Sequence, residues 1–377
     1  MHILISPNAF KSSLDAGSVA DAIEMGLQSS RLHFTSEKIP VGDGGDGTGE
    51  LLIKQSNGIY ITGRVHNALG SIIDSSFGLI DNQDTAVIEM ANAAGIRLLE
   101  RAALNPLKAS SYGTGEQVKA ALDKGVKKII IGMGGSATVD GGAGILHALG
   151  VRFLNASGEE LFPNPENLAT LNEIDTSKLD KRIPGTEIIV MCDVQNKLLG
   201  DKGAARVFGP QKGATAEGLI ILEKYLTQFA TIIHRNTGKK VDDINGGGTA
   251  GGAAAGLFAF LNAQLVNGID YYLDRVGFED ALSKADLVIT AEGSIDEQSL
   301  EGKAPFGVAV RAKAKGIPVV GMAGKVPLNT DQELNRYFDV LLSITNEPSP
   351  LTDALKHTHQ NLVRLAGQLG NLLTLNT

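Results

Sequence analysis

A single cysteine, Cys192, in 377 residues excludes a disulfide framework and a cysteine-rich zinc site. Tryptophan is absent and aromatic residues make up only 5%, so the core must be aliphatic. Positive charge is scarce as well. The net charge is −8 and no polybasic run occurs, which speaks against nucleic acid as a partner. An acidic chain that handles anions must gather its cations locally or use Mg2+. No apolar stretch approaches the roughly 18–20 residues of a membrane-spanning helix. The opening MHILISPNAFKSS has neither a basic n-region nor an extended apolar stretch, so the cytoplasm is the expected compartment. Walker A, H-E-x-x-H, G-x-S-x-G and the protein-kinase H-R-D set are all missing. The seven histidines show no convincing cluster.

What is abundant is glycine, 46 residues, and it is concentrated in loops that follow short apolar runs. The length suggests two or three domains at roughly 100–200 residues each. A strand at 2–6 and a helix at 15–27 open the chain. A second strand at about 37–41 runs into GDGGDGTG at 42–49 and a helix at 50–55, a strand–loop–helix unit of a parallel sheet. Strands at 286–290, 318–321 and 339–344 alternate with helical patterns at 305–315, 332–337 and 352–373, the grammar of a doubly wound sheet. Between these, 59–66 and 71–80 alternate as a hairpin does, and α/β units follow at 86–90, 115–124, 128–132, 187–191 and 217–234. The expected architecture is α/β: a Rossmann/flavodoxin-like parallel-sheet domain made of 1–75 plus 280–377, with a second α/β domain, 76–279, inserted into it.

Five glycine-rich or charged loops could carry chemistry. In 42–49, glycines such as Gly44 and Gly45 let backbone approach a ligand, and the following helix start favours an anion. G-x-G-x-x-G fits both Gly42/Gly44/Gly47 and Gly246/Gly248/Gly251, so the pattern alone is weak. Asp43 and Asp46 inside the loop would repel a bare pyrophosphate, yet they suit Mg2+-phosphate or a base acting on a hydroxyl. A structural Gly/Asp turn is the alternative. Asn8 and Lys11 follow the first strand, where such sheets place ligand groups and where a lysine can neutralise phosphate; a solvated lysine is the plain alternative. GMGGSATVDGG at 132–142 offers Ser136 and Thr138 to a phosphate or carboxylate cradle, with Asp140 a ligand contact or merely a helix cap. Asp193 ends a strand as a candidate metal ligand, Lys212 sits in a Pro/Gly loop as a candidate phosphate contact, and Cys192 reads as a small buried hydrophobe. Glu292 and Asp296 flank a glycine at another strand end, with Lys303 just before a helix started by Pro305. The run GGGTAGGAAAG at 246–256 fits an anion loop or a tightly packed small-residue helix equally well.

Taken in order, NAFKSSL, PVGDGGDGT, SSYGTGE, GGSATVDGGAG, CDVQN, FGPQKGA, GGGTAGGAAAGL, TAEGSID and GKAP resemble the glycerate kinase type I family up to about residue 325. The resemblance implies two α/β domains with ligands in a cleft between them, and ATP-dependent phosphorylation of D-glycerate, with the bacterial side of the family pointing to O2. It implies ATP and Mg2+ as the cofactors and small molecules as the partners, in a monomer or homodimer. The site set then reads Asp43, Asp46 and Lys11 as catalytic. Asn8, Gly44, Gly45, Ser136, Thr138, Asp140, Lys212 and Lys303 bind substrate or phosphate, and Asp193, Glu292 and Asp296 hold metal. The chain departs from the family pattern at Asn8 and Asp46, where Asp and Glu are frequent, at Val139, where Asn is frequent, and at Ser294, where Arg is common. A phosphate contact at 294 would pass to Lys303. The rival readings are a glycerate 3-kinase, a dinucleotide-dependent dehydrogenase of a small hydroxy acid, and a non-catalytic binder of a small acid.

Overall fold

The computed structural model describes residues 1–296, 302–328 and 333–375. The chain starts with β1 (His2–Ile5), α1 (Ala16–Gln28) and β2 (Thr35–Lys38). Next come α2 (Thr48–Gln55), β3 (Ile59–His66), β4 (Ile72–Ile80), β5 (Thr85–Glu89), α3 (Ala91–Ala94), α4 (Tyr112–Asp123) and β6 (Lys128–Gly132). The middle holds α5 (Ala143–Ala148), β7 (Arg152–Leu154), β8 (Glu173–Asp175), β9 (Glu187–Cys192), α6 (Ala204–Phe208), α7 (Ala216–Thr237), α8 (Thr249–Leu261), β10 (Gln264–Asn267) and α9 (Gly268–Arg275). The last part consists of α10 (Phe278–Leu282), β11 (Leu287–Ser294), α11 (Ala304–Ala314), β12 (Val319–Lys325), α12 (Leu334–Tyr337), β13 (Val340–Ser343), α13 (Leu351–Lys356) and α14 (Thr358–Leu373).

These elements form two compact units, Met1–Asp43 with Ile269–Thr377, and Gly44–Gly268. The first is built on a five-stranded sheet in the order β2-β1-β11-β12-β13, every pairing parallel. Numbered within the unit that order is 2-1-3-4-5, the flavodoxin-like arrangement, whose switch point lies between β1 and β11. The inner strands β1, β11 and β12 are largely apolar and buried, whereas the edge strand β2 reads Thr-Ser-Glu-Lys and is partly exposed. Asp15 caps α1 by accepting from the Ser18 amide at 3.0 Å. The expected Val19, Ala20, Ile23 and Leu27 stripe is buried with Leu362, Ala366 and Leu369 of α14.

The second unit carries a six-stranded sheet, β10-β9-β6-β5-β4-β3, parallel from β10 to β5 and antiparallel across β4 and β3. The hairpin at 59–80 is present with Ile59 opposite Leu79 and His66 opposite Ile72. Asn67 makes its turn by accepting from the amides of Leu69 and Ser71, each at 3.0 Å. Thr215 caps α7, and Gly238 ends it in the left-handed region.

Several boundaries differ from those the sequence suggested. The units divide at 43/44 and 268/269 rather than near 75 and 280, because the hairpin pairs onto β5 and so belongs to the six-stranded sheet. The loop at 42–49 accordingly does not join a strand and helix of one sheet: β2 lies in the first unit and α2 in the second. The strand expected at 37–41 is β2 at 35–38, although Ile39 and Val41 still donate to Ile5 and Pro7 carbonyls. The helix expected at 352–373 is broken at His357, where the Thr358 hydroxyl takes the carbonyls of Ala354 and Leu355. Of the helix expected at 332–337, residue 332 lies outside the described residues and Leu334–Tyr337 is helical. Among the described residues no helix is long and apolar enough to cross a membrane.

Candidate active site

In the first unit, the carboxyl ends of β1 and β11 lie side by side, tied by Asn8 N–H donating to Ala291 O at 2.8 Å. Asn8 is 8% exposed and its Oδ1 accepts from the Ala9 amide at 2.7 Å, which shapes the loop leading to exposed Lys11. Glu292 is buried near the end of β11, and among the described residues its Oε2 has no hydrogen-bond partner. Burial, helped by the nearby carboxylates of Asp43 and Asp296, pushes the Glu292 carboxyl up to about 7 against the opposing pull of Lys303 and Lys11. Asp296 accepts from the Ser294 hydroxyl at 3.0 Å. Three carboxylates and two lysines predicted from separate motifs thus act on one another at the switch-point edge of this sheet.

In the second unit the site-bearing loops leave the carboxyl ends of β5, β6 and β9. The glycine loop beginning at Gly44 packs backbone to backbone on the turn after β6: Gly134 N–H donates to Gly44 O at 3.2 Å. A Cβ on Gly134 would lie 2.4 Å from Gly45 Cα, so only glycine permits this approach. Gly44 N–H donates to the Thr48 hydroxyl at 3.0 Å. Ser136 and Thr138 are buried in the turn, and the Thr138 hydroxyl has no partner among the described residues. Lys212 reaches them from the Pro/Gly loop: its Nζ donates to Ser136 Oγ at 2.9 Å and to Thr138 O at 2.7 Å. Burial lowers the Lys212 ammonium to about 8, while Asp140 and Asp193 pull it back up. A cation held this way among hydroxyls at a turn of glycines suits an anionic ligand.

Of the two readings the sequence left open for Asp140, the geometry favours the helix cap. It is fully buried, and its carboxylate accepts from Ser111 N and Oγ, each at 2.7 Å, and from Gly142 N and Gly144 N, each at 3.1 Å. Its oxygens bind the starts of α4 and α5 together, and burial raises its pKa. Cys192 is buried, its thiol pushed up to about 12 by burial, which fits a packing residue. The run at 246–256 enters α8, and Gly251 O accepts from Gly141 N–H at 3.0 Å, so it packs against the turn after β6.

Two residues that no motif singled out belong to this constellation. Glu89 ends β5 beneath the glycine loop, and Arg97 Nη1 lies 3.1 Å from Asp46 Oδ2. Glu89 follows an apolar strand in IEMA, and its only sequence signal is a carboxylate at a strand end. Among the described residues no group of three or more His, Cys, Asp or Glu side chains is arranged to hold a metal ion.

The profile of the glycerate kinase family matches residues 3–374, and the chain belongs to that family. Glycerate kinase of Bacillus subtilis strain 168 is 44% identical over 366 residues, 97% of this chain and 96% of the relative. Glycerate 2-kinase of Escherichia coli K12 is 40% identical over 375 residues, covering 100% of this chain and 98% of the relative. The crystal structure of a candidate glycerate kinase 2 from Salmonella typhimurium LT2 superposes with a TM-score of 0.85 at 42% identity, covering 100% of this chain and 99% of that one.

Proposed function

We propose that this chain is a kinase that transfers the γ-phosphoryl group of ATP to the O2 hydroxyl of D-glycerate, giving 2-phosphoglycerate and ADP. The carrying observation is Lys212, a buried cation bonded to Ser136 and Thr138 in a glycine turn, in a chain of this family. Phosphoryl transfer asks the protein mainly for positioning and charge neutralisation. In the second unit, Lys212, Ser136, Thr138 and the backbone of Gly44 and Gly45 bind phosphate oxygens. In the first unit, Lys11 and Lys303, beside Asn8, neutralise the glycerate carboxylate and the remaining phosphate charge. Asp46, whose carboxylate is solvent-reachable and held by Arg97, accepts the hydroxyl proton. The hydroxyl oxygen bonds to the γ-phosphorus as the bond to the β–γ bridging oxygen breaks and ADP leaves.

Mg2+ fits the acidic set of the first unit. Glu292 has a buried oxygen without a partner among the described residues, and its carboxyl is raised by burial first and then by Asp43 and Asp296. Two of these carboxylates suffice, because Mg2+ is held largely by nucleotide phosphates and water. The ion would neutralise charge on the β- and γ-phosphate oxygens. Asp193 serves the charge balance of Lys212. Every named residue lies on one chain, so the chemistry works in a monomer as in a homodimer, and its small-molecule substrates fit a cytoplasmic enzyme. The test is ADP release with ATP, Mg2+ and D-glycerate, followed by phosphorus NMR of the product. Glycerate-dependent release with a 2-phosphoglycerate signal is expected. Release without glycerate dependence, or a 3-phosphoglycerate signal, overturns the substrate or the regiochemistry respectively.

A further inference from the structure

Glu89 is 5% exposed, and its Oε1 accepts from the amides of Gly47 at 2.8 Å and Gly49 at 3.0 Å. These amides open α2, whose N-cap, Gly47, is left-handed at φ 92° and contributes no side-chain hydrogen bond. A carboxylate from β5 therefore caps the helix across the fold and meets the positive end of its dipole. Contact is close: a Cβ on Gly49 would lie 2.6 Å from Glu89 Cγ. Asp46 precedes the capped turn, held by Arg97, whose Nη2 donates to Asn92 Oδ1 at 3.2 Å. Glu89 is also a second carboxylate buried near Asp46, and it is pushed up to about 7 by burial and by Asp46 against the opposing pull of Arg97 and the two amides. The other ionisable neighbours are Glu50 and Tyr60, which line the cavity of about 260 Å3 beside Glu89.

We propose that Glu89 is a positioning residue for the proton acceptor: by gripping the Gly47 and Gly49 amides, it sets where the Asp46 carboxylate stands. The inference rests on Asp46 as the proton acceptor in the reaction proposed above. An ionised Glu89 grips the amides more strongly than a neutral one, since a charged acceptor makes the stronger hydrogen bond. Arg97 fixes Asp46 from one side and the capped turn fixes its backbone from the other. Displacement of a reacting group by about an ångström costs on the order of 10²-fold in rate.

The experiment compares wild type, Glu89→Gln and Glu89→Ala for kcat, KM for glycerate, pH profile between 6 and 8.5, and amide exchange of residues 44–49. Glu89→Gln keeps an acceptor oxygen without the charge; Glu89→Ala removes both. The expected result for Glu89→Ala is a kcat lower by about 10²-fold, KM within about threefold, and faster exchange at Gly47 and Gly49. Glu89→Gln is expected to retain kcat within about tenfold, with slow exchange kept. Wild-type kcat is expected to fall toward the Gln value as pH drops through about 7, and the Gln variant to lack that limb. Wild type inactive on glycerate overturns the proposed reaction, while the exchange pattern still judges the grip of Glu89. Active wild type with Glu89→Ala within threefold in kcat, or with Glu89→Gln as slow as Glu89→Ala, overturns the positioning role. Should Glu89→Ala fail to fold, Gly49→Ala, which crowds the same carboxylate, takes its place with the same expected loss.

Discussion

Glu292 and Lys212 face opposite electrostatic problems, both set by burial of a charged group. The carboxyl of Glu292 is raised to about 7, so the folded chain binds its proton more tightly than the unfolded chain does. Its contribution to stability is therefore fully present below about pH 4.5 and is lost as pH rises through about 7. At pH 8 the ligand-free chain holds an ionised, poorly solvated Glu292 near Asp43 and Asp296. Glu292→Gln is expected to be more stable than wild type at pH 8 by on the order of 1–3 kcal/mol in urea melts, and little different at pH 5. The same variant is expected to lose at least tenfold in kcat/KM for ATP. Equal stability at pH 8 would show that solvent already relieves the crowding. Lys212 is lowered to about 8 by the same cause acting on a cation, which keeps it mostly charged at neutral pH.

At the scale of elements, the turn after β6 is shaped by its neighbours more than by its own sequence. Asp140 binds the N-terminal ends of α4 and α5 through four hydrogen bonds, and Tyr225 of α7 donates to its carbonyl at 2.8 Å. Replacing a buried acceptor by an amide turns one Nδ2 donor toward N–H groups that already point at it. Asp140→Asn is expected to lower stability by about 2–4 kcal/mol in urea unfolding, and to reduce kcat as the turn carrying Ser136 and Thr138 relaxes. A loss under about 0.5 kcal/mol would mean that these elements are anchored elsewhere. The motif SSYGTGE was legible in the chain as a family feature, but its partner was not. Ser111 and Asp140 are 29 residues apart, and only the packing of α4 against α5 brings them together.

For the whole molecule, a net charge of −8 opposes the binding of an anionic nucleotide, and the proposed reaction draws its affinity from a few local cations and Mg2+. Mg-ATP at about a hundred times its dissociation constant is expected to stabilise the chain by about 2.7 kcal/mol in thermal or urea unfolding. ATP with a chelator is expected to give markedly less. Protection by ATP that is indifferent to the chelator would remove Mg2+ from the acidic set of the first unit. Reduced dinucleotide in place of ATP is expected to give no protection, which separates the kinase from the dehydrogenase suggested by the two G-x-G-x-x-G matches.

By itself the sequence determined the parallel α/β character, because continuous aliphatic strands alternate with helical stripes, and it singled out the candidate site loops, because glycines and charges gather after those strands. Lys11, Asp43, Glu292, Asp296 and Lys303 were each legible for that reason, as were Ser136 and Lys212. Which of them share surroundings was decided by the tertiary structure alone. Strand order places β1 beside β11 although their paired residues, such as Ile3 and Leu287, stand 284 positions apart in the chain. The unit boundary inside the 42–49 loop was hidden, since local pattern cannot tell which sheet a helix will cover. Glu89, Arg97 and the inward turn of Asp140 were hidden for the same reason. A carboxylate's role depends on the amides and cations that face it, and in this chain those come from distant segments.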